Sequence, residues 1–489
     1  INDTSAGTAA FDGQSYHTGE LPIPENSLQN GVNIITLDNR AEGASFLDIF
    51  QVNWLELDYA APPSAINDRL DFTAGDGKVT VNGLSGSPVV IDISDPARPA
   101  QLTEWQYENG EVDLAVKDQQ HVAITGPRGF LSARLEPVIK SNWSDQTQQA
   151  DLIIISAAEL APALAPLVAA REAQGLSVAL VPVEEIYDEF GHGAPSPQSI
   201  QDFIAYAYQN WQSPQPRYLL IVGDATSDYL GHLGEIPENS VPSLMVPVQF
   251  SGETVSDSRL VDVDNDIIPD LAVGRWPVHT PQEVTDLVNR TLAYEDSAAS
   301  ERVFIATDGS EKSFSRIAGK LIDKGELSRD FVDQRDGPSV AEVGELWQEG
   351  AWLAAYIGHG SIDQWGKEDV FNLEGVNELR GDAAPIVLQL TCLSGLYSHP
   401  EQVSLAEAML LHPNGPVLTV AASSLTYSTH QEPFATELLR QLQDSDIERV
   451  GDAFIGAKQS LDIEDSVGLR EISDTFALFG DPSAKISRP

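Results

Sequence analysis

The sequence predicts an α/β protein in which an all-β domain precedes two open parallel sheets. Three observations predict this class: short alternating runs separated by turns before residue 145, continuous apolar runs alternating with helical segments after it, and a second set of such runs after residue 300. We therefore expect an all-β sandwich over residues 1–145, an α/β subdomain over 146–298 and another over 299–489.

The first 145 residues carry the pattern of a β-sandwich. Turn clusters such as Ala74-Gly75-Asp76-Gly77 and Ser94-Asp95-Pro96 separate the apolar runs at regular spacing. The predicted strands are Val32–Leu37, Phe46–Leu57, Lys78–Val81, Val89–Ile93, Val112–Val116 and His121–Ile124. We find no catalytic constellation in this region.

The first α/β subdomain begins after a polar linker, Ser141–Ala150. The apolar run Asp151–Ser156 is typical of a strand buried on both faces of a parallel sheet. A helix follows and ends near Gly175, and the spacing of Ser156 and Glu159 predicts a capping box at its start. The remaining predicted elements are strands Ser177–Val183, Tyr218–Gly223 and Asp270–Gly274, with helices Pro197–Trp211 and Pro281–Tyr294.

The second α/β subdomain repeats the alternation of apolar strands and helices. Its predicted strands are Val303–Thr307, Trp352–Ile357, Pro385–Leu390 and Pro416–Ala421, and the run Phe476–Ile486 closes the chain. Because such strands alternate with helices, each subdomain is expected to contain an open parallel sheet.

The composition excludes two classes of function. The 489 residues include 74 acidic and 28 basic side chains, a net charge of −46, whereas binding nucleic acid requires a basic face. No window approaches the ~18 consecutive apolar residues of a membrane span. Two interpretations of the acidity remain open: a solvated surface suited to extracellular surroundings, or binding of calcium or basic substrates. The chain opens at Ile1 without a signal segment, and we expect a processed protein that is secreted or at the cell surface.

One thiol and one imidazole follow two predicted strands. Cys392 is the only cysteine, so the chain has no internal disulfide, and His359 lies between Gly358 and Gly360 after the strand that ends at Ile357. Because parallel strands end at the same edge of a sheet, we expect the two side chains to lie within hydrogen-bonding reach. An imidazolium there lowers the pKa of the thiol, and amides near glycine suit an oxyanion hole.

Two simpler interpretations compete with this one. A lone cysteine is often a buried small hydrophobic residue, and the histidine then belongs only to a loop. A second Gly-His-Gly segment, centred on His192, follows an acidic stretch instead of an apolar strand. We therefore expect His192 to have no catalytic role.

Several ordered motifs give the sequence a family resemblance over about residues 150–486. They are Tyr218–Asp224 (YLLIVGD), Pro269–Arg275 (PDLAVGR), Tyr356–Ser361 (YIGHGS), Gln364–Gly366 (QWG), Thr391–Gly395 (TCLSG), Leu405–Glu407 (LAE) and Phe479–Ser483 (FGDPS). In these motifs the chain resembles the gingipain family of cysteine peptidases, which belongs to the caspase-like clan. The resemblance implies a caspase-like catalytic domain.

The resemblance also implies roles for individual residues. Cys392 attacks the scissile carbonyl, while His359 protonates the leaving amine and then activates water. The amides of Gly360 and Cys392 bind the oxyanion. Asp308 is the best match to the acidic residue that orients the histidine, although it can equally be an N-cap of the following helix, Phe314–Leu321.

The residues that recognise substrate in the family are matched less closely by this sequence than the catalytic residues are. The resemblance implies a carboxylate that reads arginine or lysine at P1, yet no residue aligns with the arginine-reading aspartate of the family. Glu311 and Glu432 are the candidate carboxylates, with Ser423 at the end of the strand nearby. Trp365 either forms a wall of the pocket or belongs to the core. A basic P1 residue is our expectation.

The segment Asp262-x-Asp264-x-Asp266, with Asp270 beyond it, has the alternating oxygen ligands of calcium loops. It lacks the glycine and the distal glutamate of an EF-hand, so a bare acidic turn is the alternative. The resemblance implies a structural calcium ion here. We expect no cofactor to be required for the chemistry.

The sequence thus predicts an endopeptidase that acts on proteins or peptides. A sortase-like transpeptidase, in which an amine resolves the acyl-enzyme, and a non-catalytic acidic calcium-binding surface protein are the alternatives. The N-terminal domain resembles the pro-region or accessory domain that precedes such catalytic units, and Arg128, Arg134 and Lys140 mark a junction where self-cleavage of a zymogen can occur. The sequence makes no prediction of oligomeric state.

Overall fold

The structure is a computed structural model, and the residues that it describes are 1–11, 17–38, 52, 54–59, 61–132, 138, 140–234, 236–367, 370–381, 384–464 and 466–489. The chain divides into two compact units. The first comprises Ile1–Thr8 and Glu20–Pro137, and the second comprises Ala9–Gly19 and Val138–Pro489. The second unit contains both predicted α/β subdomains, and the limits of the three domains stay a prediction.

The first unit contains two antiparallel sheets. Its strands are β1 (Arg69–Ala74), β2 (Gly77–Val81), β3 (Val89–Asp92), β4 (Ala100–Leu102), β5 (Trp105–Glu108), β6 (Glu111–Val116) and β7 (Gln120–Thr125). One sheet has the order β1-β7-β3-β4 and the other β2-β6-β5. Val81 and Val112 from one sheet pack with Val90, Val122 and Ile124 from the other in a single buried core, as in a sandwich.

Two predicted strands of this unit differ from the structure. Val32–Leu37 is wrong: the segment forms no strand, and Val32 and Ile34 are 81% and 64% exposed, because no strand among the described residues pairs with the segment to bury their side chains. In Phe46–Leu57, residues 46–51 and 53 lie outside the described residues, and the others form no strand.

The second unit is built on one ten-stranded sheet with helices on both faces. Its strand order is β15-β14-β16-β19-β20-β21-β13-β10-β8-β9. The strands are β8 (Leu152–Ser156), β9 (Val178–Pro182), β10 (Tyr218–Val222), β13 (Ala272–Trp276), β14 (Val303–Thr307), β15 (Val332–Asp336), β16 (Leu353–Ile357), β19 (Ile386–Leu390), β20 (Leu418–Ala422) and β21 (Phe476–Phe479). Two small hairpins pair β11 (Leu244–Val248) with β12 (Gly252–Ser256) and β17 (Gln364–Trp365) with β18 (Phe371–Asn372).

Twelve helices are found among the described residues of this unit. They are α1 (Ala165–Ala173), α2 (Val183–Phe190), α3 (Pro197–Asn210), α4 (Asp257–Leu260), α5 (Pro281–Asp296), α6 (Lys312–Lys324), α7 (Val340–Gln348), α8 (Leu373–Asn377), α9 (Leu405–Leu411), α10 (Ser428–Gln443), α11 (Val450–Gln459) and α12 (Val467–Thr475). The capping box expected at Ser156 is absent, because a 3₁₀ turn, Ala161–Leu164, begins the first helical segment after Leu160.

The central strands form because their apolar side chains are buried on both faces. In β19, Ile386, Leu388 and Leu390 enter the core under α6 and α10, whereas Val387 enters the opposite core with α7 and α9. A strand that alternates between two cores is largely apolar, as the sequence pattern predicts, and the one polar residue of β19, Gln389, is hydrogen-bonded to Trp365 and Thr419.

The sheet consists of two parallel halves that run in opposite directions. Strand β21 is antiparallel to β20 but parallel to β13, which it meets at a single register pair, Arg275 and Phe479. One half contains the strands of the first predicted subdomain together with β21, and the other contains the remaining strands of the second. The predicted mixed architecture with a parallel sheet in each half is confirmed.

Candidate active site

His359 lies two residues beyond the end of β16, in a loop whose path requires glycine on both sides. A Cβ atom on Gly358 would overlap the hydroxyl of Tyr356 and the side chain of Asp308, and one on Gly360 would overlap the hydroxyl of Thr391. The hydroxyl of Tyr356 donates a hydrogen bond of 2.7 Å to the carbonyl of His359. The loop is therefore fixed by close contacts that only glycine permits.

Two carboxylates contact His359 at different places. The carboxylate of Asp308 accepts a 2.8 Å hydrogen bond from the amide of Ser310 and a 3.3 Å bond from the main-chain amide of His359. The ring contacts Glu311 instead, with 3.1 Å between Nε2 and Oε1, and Phe314 packs edge-on against it at 5.2 Å. The structure therefore gives the ring contact to Glu311.

The two carboxylates have lowered pKa values for different reasons. Burial tends to raise the pKa of Asp308, but hydrogen bonds from Ser310 and from the amide of His359 outweigh it and lower the value. The hydrogen bond to His359 is the main cause that lowers the pKa of Glu311, which is more than half exposed. The first helical N-cap after β14 is Glu311, so the alternative in which Asp308 caps that helix is wrong.

Cys392 follows β19 at the position that matches His359 after β16. Strands β16 and β19 are parallel neighbours, and Ile357 is in register with Leu390, so both side chains emerge two residues beyond paired strand ends. This confirms the predicted adjacency of the two strands. The thiol is partly buried, and its Sγ lies 3.4 Å from both the amide and the carbonyl of Thr426.

The expected hydrogen bond between thiol and imidazole is not formed among the described residues. Sγ contacts Thr426, whereas the ring of His359 contacts Glu311 and Phe314. Burial is the main cause that raises the pKa of Cys392, and the bonds to Thr426 only partly offset it. The expected lowering of the thiol pKa by an imidazolium is therefore wrong for this conformation, since the thiol keeps its proton.

Two main-chain amides in the loops that carry His359 and Cys392 are unpaired in the described part of the chain. Within the described ranges, neither the amide of Gly360 nor that of Cys392 donates a hydrogen bond. The hydroxyl of Thr391, buried next to Gly360, also has no hydrogen-bond partner there. Unpaired amides at a strand end are the donors that an oxyanion requires.

Three residues predicted to bind substrate lie elsewhere. Trp365 is a core residue, 1% exposed, that stacks on Tyr356 at 4.7 Å and donates from Nε1 to Gln389. The carboxylate of Glu432 forms ion pairs with two lysines, at 2.6 Å and 3.1 Å. Ser423 is buried and donates to the carbonyl of Val255. Burial and existing partners thus leave none of the three free to form a pocket.

Glu471 on α12 was missed by the sequence analysis. It is 3% exposed, and its Oε1 accepts hydrogen bonds of 3.3 Å from the amide of Phe250 and the hydroxyl of Ser424. In the described part of the chain no donor reaches Oε2. Glu471 lies near enough to Cys392 for its charge to raise the pKa of the thiol, and burial raises the pKa of Glu471 itself to about 7.

The acidic loop before β13 brings three of its four aspartates together. Carboxylate oxygens of Asp262, Asp264 and Asp270 all lie within 4.8 Å of one another. Asp266 is not part of this group, and its carboxylate accepts a hydrogen bond from the amide of Ile268. Burial raises the pKa values of Asp262 and Asp270. Crowded carboxylates of this kind are suited to a calcium ion, which prefers oxygen ligands.

Comparison with known proteins identifies the family. A model of peptidase family C25 matches residues 145–487, which is more than half of the chain. The chain belongs to peptidase family C25. The predicted resemblance to gingipains is confirmed, and membership of this family supports a cysteine peptidase.

Curated relatives of this C25 chain include two gingipains of Porphyromonas gingivalis. Gingipain R2 is 22% identical over 312 residues, which cover 58% of the chain and 39% of the relative. Gingipain R1 is 21% identical over 366 residues, which cover 69% of the chain and 34% of the relative. The chain thus spans less than two-fifths of the length of these relatives.

Solved structures share the fold of this C25 chain. The crystal structure of the Arg specific cysteine proteinase gingipain R has a TM-score of 0.57 at 17% identity, covering 72% of this chain and 80% of that one. The complex of the pro- and mature domains of RgpB from P. gingivalis has a TM-score of 0.58 at 18% identity, covering 68% and 79%. The predicted caspase-like fold is confirmed. Among the described residues, no helix has both the length and the hydropathy of a membrane span.

Proposed function

We propose that the chain is a cysteine endopeptidase in which Cys392 is the nucleophile and His359 the general acid and base. The observation that carries the proposal is the register of β16 and β19, because Ile357 opposite Leu390 sets thiol and imidazole two residues beyond paired strand ends. The unpaired amides of Gly360 and Cys392 beside them support an oxyanion hole.

The reaction begins when Sγ of Cys392 transfers its proton to His359 and attacks the carbonyl carbon. The carboxylate of Glu311 accepts a hydrogen bond from Nε2, so that Nδ1 of the neutral ring is the nitrogen free to take the proton. The ring then protonates the leaving amine, and afterwards it removes a proton from the water that hydrolyses the thioester.

Peptide binding must first free the sulfur. Sγ is occupied by the main chain of Thr426, and burial keeps the pKa of the thiol raised. We therefore propose that the segment of residues 424–427 moves when a peptide enters, so that Sγ exchanges Thr426 for His359. The thiol then ionises by transfer to the ring, and not by release of a proton to solvent.

We propose a basic P1 residue, read by Glu471. Its Oε2 has no hydrogen-bond partner among the described residues, its Oε1 accepts a hydrogen bond from Ser424 in the segment that must move, and the rings of Phe250 and Tyr427 pack together at 4.8 Å. Aromatic faces and a carboxylate together suit the stem and the charge of lysine or arginine. Glu432, the earlier candidate, is neutralised by Lys320 and Lys324.

A peptide panel tests both parts of the proposal. Fluorogenic peptides with basic, acidic and neutral P1 residues are assayed with reductant against the wild type, Cys392→Ala and Glu471→Gln. Cys392→Ala and iodoacetamide treatment should abolish turnover, and hydrolysis by alkylated protein would exclude Cys392 as the nucleophile. An added amine that diverts the product from acid to amide would instead favour a transpeptidase.

The variant Glu432→Gln is the matched control for specificity. Glu471→Gln should lower kcat/KM for basic P1 peptides by about 10- to 100-fold, the usual contribution of a hydrogen bond to a charged group, while Glu432→Gln leaves P1 preference unchanged. A reversed result would assign the pocket to Glu432.

We also propose that Asp262, Asp264 and Asp270 hold a structural calcium ion, since their carboxylate oxygens converge within 4.8 Å. Such an ion would stabilise the loop before β13 and supply no step of the chemistry. The convergence of three acidic oxygens supports calcium over a bare turn, because the carboxylates repel one another and, in the described part of the chain, only Asp262 of the three pairs with a basic side chain, Arg259.

We propose that the protein is secreted or at the cell surface and that its first unit is a prodomain. The acidic composition supports the first statement. Arg128 and Lys140 are exposed and flank the boundary between the units at Pro137 and Val138, which supports cleavage there, while Arg134 lies outside the described residues. Wild-type protein that is never cut in this region, and a chain lacking residues 1–137 with unchanged activity, would exclude the prodomain.

A further inference from the structure

Helix α9 begins with main-chain hydrogen bonds to both loops of the candidate active site. The amide of Leu405 donates to the carbonyl of Ile362 at 2.7 Å, and the amide of Ala406 donates to the carbonyl of Ser394 at 2.9 Å. Ile362 follows His359 by three positions, and Ser394 follows Cys392 by two. One helical turn therefore holds the two loops at a fixed separation.

This first turn is closed by a buried capping box. The hydroxyl of Ser404 accepts a hydrogen bond from the amide of Glu407, and the carboxylate of Glu407 accepts one of 2.8 Å from the amide of Ser404. Ser404 is fully buried and Glu407 is 5% exposed. The same box at the start of α7, formed by Ser339 and Glu342, is exposed to solvent. Burial of an acidic side chain at such a box needs a reason, because capping alone does not require it.

Glu407 meets a second buried acid from the other half of the sheet. Its carboxyl group interacts with that of Asp224, which follows β10, is 8% exposed and has an Oδ1 atom without a hydrogen-bond partner among the described residues. Two carboxyl groups can hydrogen-bond only when one of them carries a proton. The other charged groups that face the pair are His279, with Nε2 3.6 Å from Asp224, and Arg275, which is itself paired with Asp257.

We propose that Glu407 is a positioning residue, and that the proton it shares with Asp224 holds the first turn of α9 and, through it, the loops that carry His359 and Cys392. The contact also links the end of β10 in one half of the sheet to the catalytic loops in the other. Its consequence for turnover rests on the proposed function, whereas its effect on the helix does not.

The contact between Glu407 and Asp224 should weaken as pH rises. Burial and the mutual repulsion of the two groups raise the pKa of Glu407 well above its ordinary value, and burial raises that of Asp224. Because the folded chain holds the proton more tightly than the unfolded chain, the stability of this contact is full in acid and is lost as pH rises through the folded value. Above it, two buried negative charges repel, and the first turn of α9 opens more often.

Hydrogen exchange at the amides of Leu405 and Ala406 tests the proposal without any substrate. In the wild type, exchange relative to the intrinsic rate should rise about tenfold or more as the shared proton is lost. Glu407→Gln and Asp224→Asn each supply a permanent N–H in place of that proton, so that exchange should become independent of pH. Amides in strand β8 report global opening, and the rise at Leu405 and Ala406 should exceed any change there.

The matched control is Glu342→Gln in the exposed box of α7, which should leave the pH dependence at Leu405 and Ala406 as in the wild type. The proposal would be overturned if exchange at these amides depended on pH in the same way in the wild type, Glu407→Gln and Asp224→Asn. It would also be overturned if exchange in the wild type did not depend on pH. If Glu407→Gln fails to fold, Asp224→Asn gives the same test. A failure of Cys392→Ala to abolish turnover would refute the proposed function and leave this measurement valid.

If the chain is a cysteine endopeptidase and Glu407 positions its loops, kcat should fall as pH rises and the shared proton is lost. The alkaline decline of kcat in the wild type should be weaker in Asp224→Asn, with KM unchanged, because the substituted group touches no substrate. A change confined to KM would contradict a positioning role.

Discussion

Replacing Glu471 with glutamine should make the protein more stable in alkaline solution. Burial raises the pKa of Glu471 from its usual 4.5 to about 7, against the hydrogen bonds from Phe250 and Ser424 that lower it. The folded chain therefore binds this proton more tightly than the unfolded chain, and the stability that Glu471 contributes is full below its usual pKa and lost as pH rises through about 7.

The size of the effect follows from the difference between the two pKa values. At about 1.4 kcal/mol for each pKa unit, the wild type loses ~3 kcal/mol of unfolding free energy from this group once pH exceeds the folded value. Glutamine keeps the shape and the hydrogen bonds but does not titrate. The difference in unfolding free energy between Glu471→Gln and the wild type should therefore grow by ~3 kcal/mol from about pH 4 to about pH 9.

Urea unfolding followed by tryptophan fluorescence measures this difference at each pH. Glu432→Gln is the control, because its stability relative to the wild type should change with pH in the opposite direction. Burial tends to raise the pKa of Glu432, but the ion pairs with Lys320 and Lys324 outweigh burial and lower the pKa. The wild type gains stability from that group as pH rises, so Glu432→Gln should lose stability relative to it. If the stability of Glu471→Gln follows that of the wild type at every pH, Glu471 does not titrate as a buried acid, and the reasoning is refuted.

Three further predictions concern the candidate site and its loops. Gly360→Ala should lower kcat about 100-fold, because the added Cβ displaces the oxyanion amide, whereas Gly344→Ala, which meets open space on a helix, should leave activity unchanged. Glu311→Gln should lower kcat about tenfold with little change in KM, since the ring of His359 loses its hydrogen bond; a rise in KM for basic peptides alone would instead assign Glu311 to substrate binding. Calcium should raise the Tm of the wild type but not that of Asp264→Asn, and a Tm indifferent to both calcium and chelator would exclude the site.

The sequence predicted the sheet well wherever a strand is buried on both faces. The prediction of Val303–Thr307 is exact, because every residue of that strand is buried. The strand Val332–Asp336 was missed, since it lies at the edge of the sheet and carries Asp333 and Arg335, which no apolar pattern distinguishes from a loop. Pairing with β14, and not side-chain character, makes this segment a strand.

The candidate site was predictable only where strand ends determine position. Cys392 and His359 follow from two adjacent strands, whereas the choice between Asp308 and Glu311 depends on how the loop before α6 turns, which sequence spacing does not encode. Trp365 and Glu432 have the right residue types for a pocket, but burial and ion pairs give them other contacts. Glu471 on α12 is brought near the thiol by tertiary packing alone, and the residues buried with it on that helix are mostly polar, so no apolar pattern in the sequence indicates its burial.

The contact of Thr426 with Cys392 also bears on how long the protein keeps its activity. Peroxide and other electrophiles attack thiolates far faster than thiols, and here the sole thiol is screened by a main-chain segment with its proton in place. An enzyme that exposes its nucleophile only when a peptide arrives would resist oxidative inactivation between encounters. The rate at which the enzyme loses activity in air would then depend on the segment of residues 424–427.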